Sequence, residues 1–354
     1  MSEQGDMNQS ASSVASMPMG SAGVEVPPGD NRTTARMRRE TLAAIAVFGA
    51  SALLLLVARL VSPSFNGIEQ AGTILILSSF LIVAAYGQGL VVLIGGLDLS
   101  LPSLITLGGI LSAGWIGRAA PEMQAYLYLP ALAACALVGA VSGVGVALLR
   151  VPAFIMTLAM GVIVYSACLG VTKGTPTGSA PRLLSSLMHS DWLGVPMAIP
   201  FVLTFIVVAV FVQKGTLFGV HLYAMGSNAN AARVAGLRVR PLTIAAYAAS
   251  AACAGLVGMM LVGYSNGATL RMGDAYLLPA IAAVVIGGSS IFGGRGTFVG
   301  TVGGAVLLTV LSMLITSLGL AQGWRTVIEG SVILLALLLL QDQVLDSIRR
   351  RFGR

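Results

Sequence analysis

Charge is scarce in this chain. Asp, Glu, Lys and Arg make up 9% of its 354 residues, where a soluble domain carries roughly 25%. That is too little to clothe a water-facing surface, which excludes an ordinary cytosolic enzyme. Dominant disorder is excluded as well, because 56% of the residues are hydrophobic and disorder requires low hydrophobicity. Lysine is almost missing: Lys173 and Lys214 stand against 18 Arg. The formal charge of +7 sits in short clusters between apolar runs, a placement that fits membrane topology rather than a nucleic-acid-binding stripe. Cys135, Cys168 and Cys253 have no CxxC spacing and read as small buried hydrophobes. Neither His189 nor His221 falls in an apolar run, and no His/Cys/Asp/Glu group has metal spacing. No apolar run pairs a Ser with a His, which disfavours an intramembrane serine protease. No catalytic residue and no metal ligand are assigned.

What the chain has is apolar length, with a mean hydropathy of +0.91. A bilayer crossing takes about 20 apolar residues. Ten runs are candidates: 41–61, 70–94, 99–117, 127–149, 153–172, 197–213, 243–263, 276–292, 298–318 and 324–341. The expected fold is an all-α polytopic membrane protein with about ten transmembrane helices. The pairs 70–94/99–117 and 276–292/298–318 are joined by Gly-rich breaks too short to be loops. If one break is a re-entrant turn, the count becomes nine. Residues 1–39 are rich in Ser, Gly, Met and Pro and lack apolar periodicity, so they read as a disordered cytoplasmic tail. The first apolar run begins only at Thr41, which speaks against a cleavable signal peptide. The membrane domain is expected over 40–342, followed by a basic cytoplasmic tail, 343–354.

Arginine sets the orientation. Arg32, Arg36, Arg38 and Arg39 precede the first run, which puts the N-terminus in the cytoplasm. Ten crossings bring Arg349, Arg350, Arg351 and Arg354 to the same side. With Arg150, Lys214, Arg233, Arg238, Arg240 and Arg295, the inside holds 14 basic residues. The outside keeps six: Arg59, Arg118, Lys173, Arg182, Arg271 and Arg325. This split supports an even number of spans. Arg325 and Glu329, four apart near the outer end of the last run, can neutralise each other.

Two connectors are long. The outer one, 173–196, holds Gly174, Pro176, Gly178, Pro181, His189 and Trp192. The inner one, 214–242, contains Ser227-Asn-Ala-Asn-Ala-Ala-Arg-Val-Ala-Gly236, which reads as a short helix. Ser227 or Asn228 can cap it, alanines propagate it, and Gly236 can end it in a left-handed turn. Pro241 then falls in the first turn of the next span, where a missing N–H costs little. A helix slung between two spans is a handle by which a docking partner moves both; a plain connector helix would have the same pattern.

The two breaks carry most of the remaining polar chemistry. The first is Gly95-Gly96-Leu97-Asp98-Leu99-Ser100-Leu101-Pro102. Ser100 can cap the following helix and Pro102 is tolerated in its first turn. Asp98 is either a cap favoured by the helix dipole or an intramembrane acid in contact with solute or ion. The second break is Gly287-Gly288-Ser-Ser-Ile-Phe-Gly293-Gly294-Arg295-Gly296, followed by Gly300 and Gly304 in a GxxxG. Such a run turns tightly and lets helices approach closely. It is no phosphate loop, since no strand precedes it and the chain has no GxxxxGK[ST]. Val92 to Gly96 and Val284 to Gly288 both read Val-x-x-Gly-Gly, a spacing compatible with an internal repeat and with coincidence among 44 glycines.

Three segments, Gly95-Gly-Leu-Asp-Leu-Ser100, Gly226-Ser-Asn-Ala-Asn-Ala-Ala-Arg-Val-Ala-Gly236 and Ala280-Ile-Ala-Ala-Val-Val-Ile-Gly-Gly-Ser-Ser-Ile-Phe-Gly-Gly-Arg-Gly296, resemble the ribose-type permeases of bacterial ABC importers. They occur in that family's order, the third is the most specific, and the resemblance covers roughly 41–341. It implies a multi-pass subunit of the bacterial inner membrane, paired with a second permease subunit as a homodimer or with a sister chain. An ABC ATPase on the cytoplasmic face would use ATP and Mg, and this chain would bind no cofactor itself. A periplasmic solute-binding protein would deliver a monosaccharide or similar small polyol. The inner-loop motif matches the family's coupling segment, which assigns Asn230, Ala231, Ala232, Arg233 and Gly236 to ATPase contact. Family members often carry Pro-Glu where this chain has Ala229-Asn230, so the Glu is replaced by a residue that can only hydrogen-bond. Gly95, Gly96, Asp98, Ser100, Gly287, Gly288, Gly293, Gly294, Arg295 and Gly296 are the candidate pathway or gating turns. Ser78, Ser79, Gln88, Thr157, Tyr165 and Asn266 are of the type to hydrogen-bond a neutral solute, and equally of the type to bond within helices. Two other readings are a branched-chain amino acid ABC permease, of similar fold, and an ion-coupled transporter using Asp98 or Glu329.

Overall fold

A computed structural model describes residues 31–61, 65, 67–192 and 194–340. Where no water reaches the backbone, a helix satisfies each N–H and C=O within its own segment, and a chain this apolar folds accordingly. The helices are α1 (Asn31–Val61), α2 (Ile68–Leu93), α3 (Leu101–Ile110), α4 (Pro121–Ala147), α5 (Ala153–Thr172), α6 (Arg182–His189), α7 (Ala198–Gly215), α8 (Leu217–Ser227), α9 (Ala229–Val234), α10 (Val239–Ser265), α11 (Leu277–Ile286), α12 (Phe298–Ser317) and α13 (Gln322–Leu340). A π-helical turn, Leu111–Ile116, prolongs α3, and a 3-10 turn, Asp274–Tyr276, leads into α11.

Among the described residues, seven helices (α1, α2, α4, α5, α7, α10 and α12) are long and apolar enough to cross a membrane, while 101–116 and 274–286 form shorter apolar helices. The protein is therefore an all-α polytopic membrane protein. The apolar run 276–292 is helical only to Ile286, because Gly287-Gly288 turns the chain out early. Residues 1–30 and 341–354 lie outside the described residues, and so do the Arg325 and Glu329 side chains.

The connector 173–196 holds structure that its loop-like composition concealed. Pro181 opens α6, which buries Leu184 and Met188 one turn apart. A two-residue hairpin follows, pairing Asp191 with Pro196 and Trp192 with Val195. His189 bonds the Tyr264 carbonyl through Nε2 (3.1 Å) and stacks on the Tyr264 ring.

The fold is organised around α10, which packs on α2, α3 and α4. Small residues make that possible, because close backbone approach replaces the hydrophobic effect between helices in lipid. A β-carbon on Gly139 would fall on the Tyr247 carbonyl, one on Gly143 on the Ile244 backbone, and one on Gly258 on the Ile105 carbonyl. The GxxxG of α12 serves the same end inside the chain: Gly300 sits on the Gly287 carbonyl and Gly304 on that of Ala283. On its other side, Gly303 meets Val47 and Phe48 of α1. By contrast Phe154, Leu158, Val162, Leu203, Val207 and Phe211, on α5 and α7, remain exposed, as faces turned to lipid or to another chain must be.

Candidate functional site

The Gly95 turn of the first break, the second break and the root of the connector helix meet at one junction. Helix α2 ends at Gly95, whose φ of 77° is left-handed. The Gly95 N–H bonds the Val92 carbonyl (2.9 Å) and the Gly96 N–H that of Val91 (3.0 Å), the hydrogen-bond pair of a Schellman cap. Gly96 lies under the Tyr247 phenol, with no room for a β-carbon.

Asp98 then draws three elements together. Its Oδ1 accepts from the Ser100 N–H (3.0 Å) and hydroxyl (2.5 Å), and its Oδ2 accepts from the Ser250 hydroxyl of α10 (2.8 Å). With the Gln88 amide oriented to satisfy both partners, Gln88 of α2 donates to the Asp98 carbonyl (3.1 Å) and accepts from its N–H (3.3 Å). The Thr157 hydroxyl of α5 accepts from the Leu99 N–H (3.1 Å) and reaches the Leu97 carbonyl (3.2 Å). Asp98 is 1% exposed. A buried carboxylate needs this many partners, and here they make it a brace. Ser100 departs from its expected role: it donates to Asp98 and caps nothing, while Asp98 bonds the N–H at the start of α3.

The second break ends α11 with the same cap. Gly288 is left-handed (φ 88°), its N–H bonds the Val285 carbonyl (2.9 Å), and the Ser289 N–H bonds that of Val284 (3.1 Å). Three more left-handed glycines follow, Gly293, Gly294 and Gly296. The Gly294 N–H bonds the Leu93 carbonyl at the end of α2 (2.8 Å), and a β-carbon on Gly293 would touch Gly95 and the Gly226 carbonyl. Gly226 of α8 fits between Leu93 and Gly294, with Ser227 against Gly294. The Tyr223 hydroxyl donates to the Gly296 carbonyl (2.6 Å). Gln213, closing α7, accepts from the Phe298 N–H at the start of α12 (3.1 Å).

From that junction the chain runs directly into α9. Asn228 caps it, accepting from the Asn230 and Ala231 N–H groups (both 3.0 Å). Gly236 ends it in a third Schellman cap, with the Gly236 N–H on the Arg233 carbonyl and the Leu237 N–H on that of Ala232 (both 3.0 Å). Pro241 lies in the first turn of α10. Asn230, Ala231, Arg233 and Gly236 are exposed. Ala232, 5% exposed, faces the chain itself, while Val234 is 90% exposed.

The structure thus joins Gly95, Gly293 and Gly294 with the root of α9. Asp98 faces α10 and α2 instead, Ser100 bonds Asp98 and lies against Gly161 of α5, Gly287 packs on α12, and the Gly288 and Arg295 surfaces are exposed. Of the candidate solute partners, Gln88 and Thr157 are committed to the first break, Ser79 bonds the Ile76 carbonyl (2.6 Å), and Asn266 accepts from the Ala180 N–H (3.2 Å). Sequence reasoning missed Ser250, Tyr247 and Tyr223 because each lies on a different element from the group it serves. Phe292, 72% exposed between the glycines, was visible as an odd aromatic in a polar turn. Among the described residues no group of His, Cys, Asp or Glu can hold a metal, and all three cysteines are free.

A bundle of apolar helices around broken ones, with one capped helix presented at the junction, is the architecture of a polytopic membrane protein, and its relatives are permeases. Residues 70–337 match the family described as the permease component of the branched-chain amino acid transport system. The chain is 35% identical over 294 residues to the ribose import permease protein of Escherichia coli strain K12, covering 81% of this chain and 91% of that protein. It is 32% identical to the ribose import permease protein of Bacillus subtilis strain 168 (81% and 89% covered). To the galactose/methyl galactoside import permease protein of Haemophilus influenzae it is 30% identical (77% and 87% covered). No solved structure matches the chain. The chain belongs to this permease family, on the side of the ribose-type permeases of ABC importers.

Proposed function

We propose that this chain is the membrane-spanning subunit of an ABC importer that moves a monosaccharide or similar small polyol inward. It crosses the bacterial inner membrane ten times, with both termini cytoplasmic and residues 1–39 as a tail. It binds no cofactor and performs no chemistry; a separate ATPase uses ATP and Mg. A periplasmic binding protein feeds the outer face, and a second permease subunit completes the pathway. Asn230, Ala231, Arg233, Val234 and Gly236 receive the ATPase, and the two Gly-rich breaks are the gating turns that its motion reaches.

One observation carries this reading: an exposed, capped helix whose root is wedged between both broken segments. A push on α9 passes through Gly226 and Ser227 to Leu93, Gly293 and Gly294, with no flexible loop between. An ion-coupled transporter that used Asp98 would need it free to bind and release an ion or proton, whereas its carboxylate is taken up by Ser100 and Ser250; the other candidate acid, Glu329, has its side chain outside the described residues.

The test is ATP-driven uptake of D-ribose into proteoliposomes holding this chain with the ATPase and binding protein that co-purify with it. Uptake should stop without ATP and survive an uncoupler. Recovery as a stable oligomer with no ATPase, or collapse of uptake with an uncoupler, would remove the importer reading. Within an active complex, Arg233→Glu should cut coupled ATPase activity about tenfold, with insertion unchanged.

A further inference from the structure

The charge count puts Arg271 on the outer surface, yet the packing carries it far inward. Helices α3 and α10 run side by side, with Asp98 beside Ser250 and Ile105–Gly109 beside Gly258. After α10 ends at Ser265, the chain comes back along α3. Leu270 packs against the cluster of Met160, Val164 and Cys168 on α5, the Met272 sulfur lies against Gly109, and Gly273 rests on the Pro102 backbone. Pro102 is three residues before Ile105, about 4–5 Å along a helix, which sets Gly273 level with the middle of α10. The descent from Ser265 is about 15 Å, half of a hydrocarbon core of about 30 Å. Helix α11, at ten residues, supplies the remaining ~15 Å. The two lengths close on one crossing.

At that depth sit two charged side chains. Arg271 Nε donates to Asp274 Oδ2 at 2.6 Å, and the side chains are 72% and 47% exposed. Arg271 is held in the left-handed region (φ 68°), a conformation that side-chain-bearing residues rarely adopt. Turn bonds hold it there, from the Asp274 N–H to the Arg271 carbonyl (3.0 Å) and the Tyr276 N–H to the Gly273 carbonyl (3.0 Å). Tyr165 of α5 is within electrostatic reach of Arg271. An exposed ion pair near the bilayer centre is too costly to face hydrocarbon. It needs water or a polar ligand.

We infer that Arg271 and Asp274 form a contact station for a neutral polyhydroxylated solute halfway along the translocation pathway. The inference rests on the importer reading above and names the site within it. The guanidinium offers donors beyond the one used by Asp274, and the carboxylate offers free lone pairs. A sugar hydroxyl both donates and accepts, so it can bridge the pair without any net charge on the solute, and ionised partners make such hydrogen bonds strong.

The test uses the assembled complex and D-ribose. Arg271→Ala and Asp274→Ala should each lower ATP-driven uptake tenfold or more, with assembly and basal ATPase activity kept. Thr269→Ala, an exposed neighbour contributing only its backbone, should leave uptake unchanged. In parallel, Ala275→Cys should react with a hydrophilic, membrane-impermeant thiol reagent faster than the parent chain, and D-ribose with the binding protein should slow that reaction. Reaction only with a lipid-soluble maleimide would place the segment in lipid and overturn the inference. Ala275→Cys that cross-links two copies and resists the hydrophilic reagent would make the pair an interface contact and equally overturn it. Normal uptake by both Ala variants would also overturn it while leaving the importer intact. A parent complex with no ATP-driven uptake sinks the importer reading, and this inference with it.

Discussion

The two Gly-rich breaks reach the same helix ending by different registers. In both, a left-handed glycine closes the helix and two N–H groups bond carbonyls three and five residues back. The left-handed residue is the first glycine of Gly95-Gly96 but the second of Gly287-Gly288. Aligning the shared Val-x-x-Gly-Gly therefore pairs the wrong residues; the structural equivalents are Gly95 and Gly288. Beyond the caps the breaks diverge. The first is short and held by side chains, with Asp98 bonded to Ser100 and Ser250 and its backbone to Gln88. The second is long and held chiefly by backbone proximity, through Gly293 and Gly294, with the Tyr223 hydroxyl on the Gly296 carbonyl. A side-chain brace fixes one turn against the bundle, while stacked glycines keep the other closely packed on α8 and leave Phe292 and Arg295 exposed.

The contact between the two breaks should be the most fragile point. A leucine at Gly294 would have to occupy space held by the Ser227 backbone, in a left-handed conformation that already disfavours it. Gly294→Leu should abolish recovery of assembled complex from membranes, read by size-exclusion chromatography in detergent. Monodisperse, active complex from that variant would show that the second break is not bound to α8 as described.

The brace of the first break should be the next most sensitive. Asp98→Ala strands Ser250 and frees Ser100, at about 1–3 kcal/mol for each buried group left unsatisfied. The yield of folded protein should fall several-fold, as losses of that size do. Asp98→Asn retains an acceptor and should recover most of the yield. If Asp98→Asn folds normally yet transports nothing, the carboxylate has a role beyond bracing. Since the second break has no such side chain, Arg295→Ala should leave the yield unchanged.

These differences explain how far the sequence could be read. Seven of the ten apolar runs coincide with helices long and apolar enough to cross a membrane among the described residues, because lipid permits little else. The α9 cap was legible from Asn228 and Gly236, since capping depends on neighbours within six residues. Asp98 stood out as an acid among apolar residues, but its partners Ser250, Gln88 and Thr157 are distant in sequence and ordinary in type. The inward course of residues 266–276 was hidden for another reason. Its composition is that of an outer loop, and only the fit of Gly273 on Pro102 and Met272 on Gly109 reveals its depth. Which face of α9 is buried was hidden too: it is the one bearing Ala232, and spacing alone does not tell which.

The smallest effect sharpens the register argument itself. Asparagine tolerates the left-handed region better than other side-chain-bearing residues. A β-carbon at Gly95 meets nothing closer than the Phe292 carbonyl at 3.4 Å, and Gly288 is exposed. Gly95→Asn and Gly288→Asn should therefore behave alike, lowering the thermal midpoint of the detergent-solubilised protein by only a few degrees, as a loss near 1 kcal/mol does. Gly287 and Gly96 occupy the off-register positions, where a side chain collides with the Thr301 backbone and the Tyr247 hydroxyl. Gly287→Asn and Gly96→Asn should be clearly worse than the other two. Were the Val-x-x-Gly-Gly alignment the structural one, Gly95 would group with Gly287 and Gly96 with Gly288. Thermal midpoints that sort in that way would dissolve the equivalence of Gly95 and Gly288.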